Sequence, residues 1–177
     1  MGYLFLLPQY PKVAWKTVVL NTTLHPRFKF ILWLAVQNRL TTVDRLLKIG
    51  IVVPTDCAFC ATTRETFDHL FFGCCVTRSV WNRLLAWLGC ARTVGSWPDE
   101  LTWACQIAKR KNGKSSIAAY CFAMTVYIIW RERNNLRFKQ GYFDAAKIYW
   151  EIALHIHIRG NGIQLWQNAL LSLNSIP

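Results

Sequence analysis

Cys57, Cys60, His69 and Cys74 fall within eighteen residues, in the spacing Cys-x2-Cys-x8-His-x4-Cys. Two cysteines separated by two residues sit on one tight turn, so both thiolates reach a single ion. An imidazole and a third thiolate from the following segment complete a tetrahedron. One nitrogen and three sulfurs suit a closed d10 site, which makes zinc the preferred metal over iron. The expected cofactor is therefore one structural zinc. Cys75 competes with Cys74 for the fourth position, since adjacent residues exchange with little backbone change. A free buried cysteine is the ordinary alternative for any one of these thiols. A catalytic zinc fits less well, because such a site keeps a position open for water beside a general base. Glu65 and Asp68 are close in sequence. However, the deaminase order of His-x-Glu followed by Pro-Cys-x-x-Cys is absent, because here the cysteine pair comes first.

The remaining constellations are weaker. His155 and His157 flank Ile156 and point to different faces of a helix, so they do not share a metal. His25 is isolated. The five Asp residues do not form a Tyr-x-Asp-Asp polymerase pair, and Asp99-Glu100 sits at a helix start, where acids favour the dipole. No Ser-His-Asp or Cys-His arrangement follows from spacing.

The elements that must hold the cysteine segment are helical. Pro26 opens a helix that runs through Phe28, Phe30 and Trp33; the helical spacing of these aromatics predicts a core face, and stacking of aromatics near the basic residues on unpaired bases is the alternative. Thr41 and Asp44 have capping-box spacing ahead of a short helix ended by Gly50, with Leu46, Leu47 and Val43 directed inward. Leu70, Phe71 and Phe72 lie between the last two ligands and predict a small core beside the metal. Val76, Val80, Trp81, Leu84, Trp87 and Leu88 recur at three- and four-residue steps and stop at Gly89. Helices are predicted again over 96–109, 117–138, 144–157 and 162–173, joined by the basic turn 109–114. The fold class is mainly α. It comprises a small Cys3His zinc-binding segment packed among short helices over residues 1–90, followed by a helical C-terminal section over residues 91–177.

Composition narrows the partners. Hydrophobic residues make up 53% of the 177, enough for a packed core. Seven cysteines in a chain of this length do not resemble a disulfide framework, and Met1 to Pro8 lacks the charge and length of a signal peptide. An intracellular compartment is expected, and the nucleus more than the cytoplasm, since Lys109 to Lys114 also reads as a nuclear-localisation patch. The apolar run from Ile117 to Trp130 has fourteen uncharged residues, short of the roughly 20 that a membrane span needs. Net charge is +12, distributed as +5 over residues 1–56, zero over 57–100 and +7 over 101–177. A surplus of this sign suits a polyanion. Lys29, Arg39, Lys109, Arg110, Lys111 and Lys114 are the candidate phosphate contacts, within a wider set that includes Lys12, Lys16, Arg27, Arg45, Lys48, Arg131, Arg133, Arg137 and Lys139. Arg131-Glu132-Arg133 reads equally well as a solvated helix face.

Taken together, Pro26-Arg27-Phe28-Lys29-Phe30-Ile31-Leu32-Trp33-Leu34-Ala35, Arg39-Leu40-Thr41-Thr42-Val43-Asp44-Arg45-Leu46, Cys57-Ala58-Phe59-Cys60 and Glu65-Thr66-Phe67-Asp68-His69-Leu70-Phe71-Phe72-Gly73-Cys74 carry a resemblance. Over roughly residues 3–85 the chain resembles the reverse-transcriptase zinc-binding domain of plant LINE-type (non-LTR) retrotransposons. Ile129-Trp130-Arg131-Glu132-Arg133-Asn134 is similar to the segment that follows this domain in such elements. The resemblance implies Cys57, Cys60, His69 and Cys74 as ligands, favouring Cys74 over Cys75. It implies an accessory, non-catalytic role. The implied partners are RNA or DNA bound with tolerance of sequence, and other proteins of the same element. Polymerase, endonuclease and ribonuclease H motifs are missing, which points to a remnant or a stand-alone copy of a longer protein. A protein-interaction module without nucleic-acid binding is the competing reading.

Overall fold

The computed structural model describes residues 13–139 and 141–173. The mainly helical expectation holds: eight α-helices and no strand occur among the described residues. In chain order they are α1 (Lys16–Val19), α2 (Pro26–Val36), α3 (Val43–Lys48), α4 (Cys75–Trp87), α5 (Trp97–Ala108), α6 (Gly113–Phe138), α7 (Ala145–Gly160) and α8 (Gln167–Ser172). A π-helical turn covers His69–Gly73, and a 3-10 turn over Gln164–Trp166 leads into α8.

The 26 residues of α6 form the axis, and α2, α5, α7 and α8 all pack on it. Of Ile117 to Trp130, all but the half-buried Tyr127 are buried. A helix that is apolar all round belongs in the middle of its neighbours. The uncharged run is thus a core helix, and no helix among the described residues is long and apolar enough to cross a membrane. Aromatic rings fill the space around it. Phe72 and Trp97 lie against Phe122, and Phe28 packs on Tyr120 and Tyr127. Gly50 and Gly89 end their helices at φ +80° and +69°, conformations that side chains with a Cβ rarely adopt.

Four expectations need correction. On α2 only Phe28 of the three aromatics is in the core. Phe30 and Trp33 are 58% and 36% exposed, and they stack on each other at 6.2 Å between ring centres. The buried stripe is instead Phe28, Leu32 and Ala35, and this phase turns Phe30 and Trp33 outward. On α3 it is Val43 that is fully buried, with Leu46 and Leu47 half-buried. The capping box from Thr41 does not form. Thr42 precedes the helix, and its hydroxyl caps nothing. The Val43 N–H donates instead to the carboxylate of Glu65, at 3.1 Å.

The fourth correction is Arg133, which is no solvated face. Its side chain is 1% exposed and donates from Nε and Nη2 to Glu65, whose own side chain is fully buried. Arg137, one turn later on α6, bonds the other Glu65 oxygen at 2.9 Å and donates to the Pro54 and Asp56 carbonyls. A second buried carboxylate, Glu100, gathers Trp81 Nε1 at 2.8 Å, Arg92, and the Gly95 N–H at 2.7 Å. It does more than face the dipole at the start of α5. It ties α4 to α5 and to the connector between them.

Removing one partner from a buried pair strands the other charge in a poor dielectric, at a cost of about 3–5 kcal/mol. We therefore expect Glu65→Ala to lower the unfolding free energy of the zinc-loaded protein by about that amount in denaturant titration. Glu65→Leu combined with Arg133→Met should recover part of the loss, because it removes the stranded charge. Recovery should stop short of the parent, since the Val43 N–H and Arg137 still lack their acceptor. Equal stability of Glu65→Ala and the parent would show that the network does not contribute.

Candidate metal centre

A short hairpin carries the first two ligands. Asp56 pairs with Arg64 across it, the Cys57 N–H donates to the Thr63 carbonyl at 2.8 Å, and the Glu65 N–H donates to that of Thr55 at 2.8 Å. The turn closes with the Ala61 N–H on the Cys57 carbonyl, and Ala61 adopts φ +54° to make it. The second pair of ligands depends on the π-helical turn. In an α-helix, residues five apart point about 140° away from one another. The i to i+5 hydrogen bond from the Cys74 N–H to the His69 carbonyl, at 2.6 Å, instead stacks Cys74 over His69 and lets both face one point. The Thr66 hydroxyl accepts from the His69 N–H, and Arg78 Nε donates to the Phe72 carbonyl that the turn leaves over. Leu70, Phe71 and Phe72 are all fully buried by this wide turn, and they join the main core rather than a separate one beside the metal.

The ligand atoms of Cys57, Cys60, His69 and Cys74 lie within 4.8 Å of one another. Cys57 Sγ and Cys74 Sγ are 3.9 Å apart, and Cys60 Sγ is 3.4 Å from His69 Nε2. A tetrahedron with the usual zinc bond lengths has sulfur–sulfur edges of about 3.8 Å and sulfur–nitrogen edges of about 3.5 Å. The four groups are thus set for one zinc with no open position. Cys57 and Cys74 are buried, while Cys60 and His69 are half-exposed at the rim. Cys75 is the first residue of α4 and is exposed, outside the cluster.

The thiols prepare for a cation to different degrees. Hydrogen bonding between Cys57 and Cys74 lowers Cys57, and it pushes Cys74 up to about 12, a shift to which burial adds. Partial burial opposes ionisation of Cys60, but hydrogen bonds from the Thr62 side chain and backbone outweigh it and bring this thiol to about 7. A bound divalent ion replaces the protons, so loading releases them and weakens in acid. Glu65 has both oxygens committed to Arg133 and Arg137 and points away from general-base duty. Asp68 is exposed.

Residues 1–81 match the family model described as zinc-binding in reverse transcriptase. The first part of the chain carries a zinc-binding domain of reverse-transcriptase type. This is an accessory domain and not a catalytic one, and its match spans all four ligands and ends within α4. No match was found among curated proteins or among solved structures.

The basic candidates divide into two groups. Lys109, Arg110, Lys111 and Lys114 are exposed together around the turn from α5 to α6, and none of them forms an ion pair among the described residues. Arg39 is exposed just past α2, and Lys29 is half-buried on it. Arg131, Arg133 and Arg137 are consumed internally, Arg131 by Glu132 and Glu151 and the other two by Glu65. Arg45 donates to the Asn38 carbonyl. Lys12 lies outside the described residues. The clamp of Glu65, Arg133 and Arg137 was missed from sequence. Its trace there is a pair of arginines at i and i+4 in the turns that follow the apolar run of α6.

One zinc per chain is the expected stoichiometry in native mass spectrometry of freshly reduced protein. Cys74→Ser should weaken zinc by more than the roughly 10–100-fold typical of losing an outer-shell partner. Cys75→Ser should leave it intact, as read by competition with a chromogenic chelator. Equal affinities in the two variants would show that the sulfurs interchange.

Proposed function

We propose that the chain is a non-catalytic, zinc-stabilised nucleic-acid-binding module derived from a plant LINE-type retrotransposon reverse transcriptase. Its partners on this reading are RNA or DNA held with little regard to sequence, together with other proteins of the same element, and it works in the nucleus. The observation that carries the reading is the group of four exposed, unpaired cations at residues 109, 110, 111 and 114. Cations without carboxylate partners are free to neutralise phosphates and release counterions. Phosphate contacts position a strand without reading it, so specificity is low. The non-catalytic reading rests on the closed ligand set and on the engagement of Glu65, which leaves the buried carboxylate between the two ligand pairs in sequence without a proton-transfer role.

A second reading, a docking module for protein, draws on α7. Trp150, Leu154 and Ile158 recur at four-residue steps and are 47%, 49% and 64% exposed. Such a ridge suits a partner helix.

Binding of the full chain to single-stranded RNA, to duplex DNA and to heparin across a salt series separates the two. Affinity for nucleic acid should fall with a log–log slope of about −0.7 per contact for single strands and about −0.9 for duplex. Replacing Lys109, Arg110, Lys111 and Lys114 with Gln should make the slope shallower by about 3 units. An unchanged slope removes the cluster from the interface. No binding to either nucleic acid at low salt gives precedence to the docking module.

A further inference from the structure

The outward aromatic pair on α2 stands where no packing argument requires it. Phe30 and Trp33 are one turn apart, are 58% and 36% exposed, and stack on each other with 30° between ring planes. The opposite face of α2, with Phe28, Leu32 and Ala35, is fully committed to the core. At 3.6 residues per turn Arg27 and Lys29 fall on the two flanks of the aromatic ridge, one on each side. Neither forms an ion pair among the described residues. The charge around them is one-sided: residues 1–43 contain five Lys or Arg and no Asp or Glu, and the first acid in the chain is Asp44.

We propose that Phe30 and Trp33 form a stacking platform for unpaired bases, with Arg27 and Lys29 holding the phosphates on either side. This inference rests on the nucleic-acid reading above and specifies the strand state that the module prefers. In a duplex both faces of each base are covered by its neighbours, so a ring can stack only on bases that are unpaired. The platform therefore adds affinity for single strands and none for duplex, and the preference is tolerant of sequence because every base has a π-face. An anionic membrane is the less suitable polyanion. Interfacial helices bury a continuous apolar face, whereas α2 offers two rings and spends its apolar face on the core.

The test uses the zinc-loaded full chain, a fifteen-nucleotide oligo-dT strand, a duplex of the same length, and vesicles of phosphatidylserine and phosphatidylcholine. Phe30→Ala with Trp33→Ala should weaken oligo-dT binding by about tenfold or more. Duplex affinity and the salt slope on oligo-dT should stay as in the parent, since the cations remain. Trp33→Phe with Phe30 intact should restore most of the loss, because it restores a π-face. Both side chains are exposed, so circular dichroism and zinc content should match the parent in all variants. Parent-like oligo-dT binding by the double variant would overturn the platform while leaving the nucleic-acid reading in place. A loss confined to vesicles would also overturn it, and would assign the ridge to lipid. Failure of the parent itself to bind either nucleic acid would overturn the nucleic-acid reading and this inference with it.

Discussion

The carboxylate of Glu65 is the point on which the arrangement turns. A metal closes the hairpin of Cys57 and Cys60 onto the π-helical turn of His69 and Cys74, but that closure is local and says nothing about where the unit sits. Glu65 supplies the position. From a fully buried place eight residues after Cys57 and four before His69, it takes two arginines from α6 and the first N–H of α3. Arg137 extends the same grip to the carbonyls of Pro54 and Asp56, at the entrance of the hairpin. Desolvating three charges is unfavourable, and one pair would barely offset it. The arrangement is tolerable because the carboxylate oxygens and most guanidinium donors find partners, which keeps any single charge from being left bare.

Apolar packing does the same work from the other side. The metal's second half is built on His69–Gly73, and the three residues inside that turn, Leu70, Phe71 and Phe72, are buried in the core formed with α4, α5 and α6. The site is therefore anchored at one end by rings and at the other by a salt-bridge network, with the ion in between. Small zinc knuckles usually depend on metal for most of their stability, since they have little core of their own. This one borrows a core. Its metal sets the relative placement of four side chains, while the surrounding helices set the placement of the whole.

Much of this was legible in the sequence, and the limits have physical causes. The ligand spacing is a covalent constraint read along the chain, so it survives translation into three dimensions. Helix ends marked by Gly50, Gly89, Asp144 and Ser96 were equally readable, because each acts through its own backbone or its nearest neighbours. What failed was anything decided by a partner far along the chain. Arg133 reads as a solvated face or a phosphate contact, and Arg137 as a phosphate contact, because their carboxylate lies about seventy residues earlier. Spacing assigns the cap of α3 to Thr41, and it comes from Glu65. Phe30 and Trp33 looked like core because composition cannot give the rotational phase of a helix. On α2 nearly every position is apolar, so periodicity is nearly silent and the contact with α6 decides which side turns in.

The nine acidic residues of this +12 chain are set mostly against its helices and its arginines, which leaves one group of cations without a counter-charge. Glu65 and Glu100 are wholly buried and serve as internal acceptors. Glu132 and Glu151 are held by Arg131, and the bond from Arg131 keeps Glu151 below the ordinary carboxylate range. Asp99 and Asp144 cap the starts of α5 and α7 through short side-chain bonds to backbone N–H groups. Six of the nine carboxylates thus have architectural duties, two of them out of reach of solvent. The cations are divided differently. Those that meet acids cluster at α6 and around Glu100, while Lys109, Arg110, Lys111 and Lys114 stand at the opposite end of α6 with no carboxylate against them. A field built this way is not diluted by nearby counter-charges of the protein itself, and within a Debye length of roughly 8 Å at physiological salt it acts on whatever anion approaches. The same folding interactions that hold the metal segment in place therefore keep Glu65 and Glu100 away from the free cations. Architecture and electrostatics are two consequences of where a few carboxylates are buried.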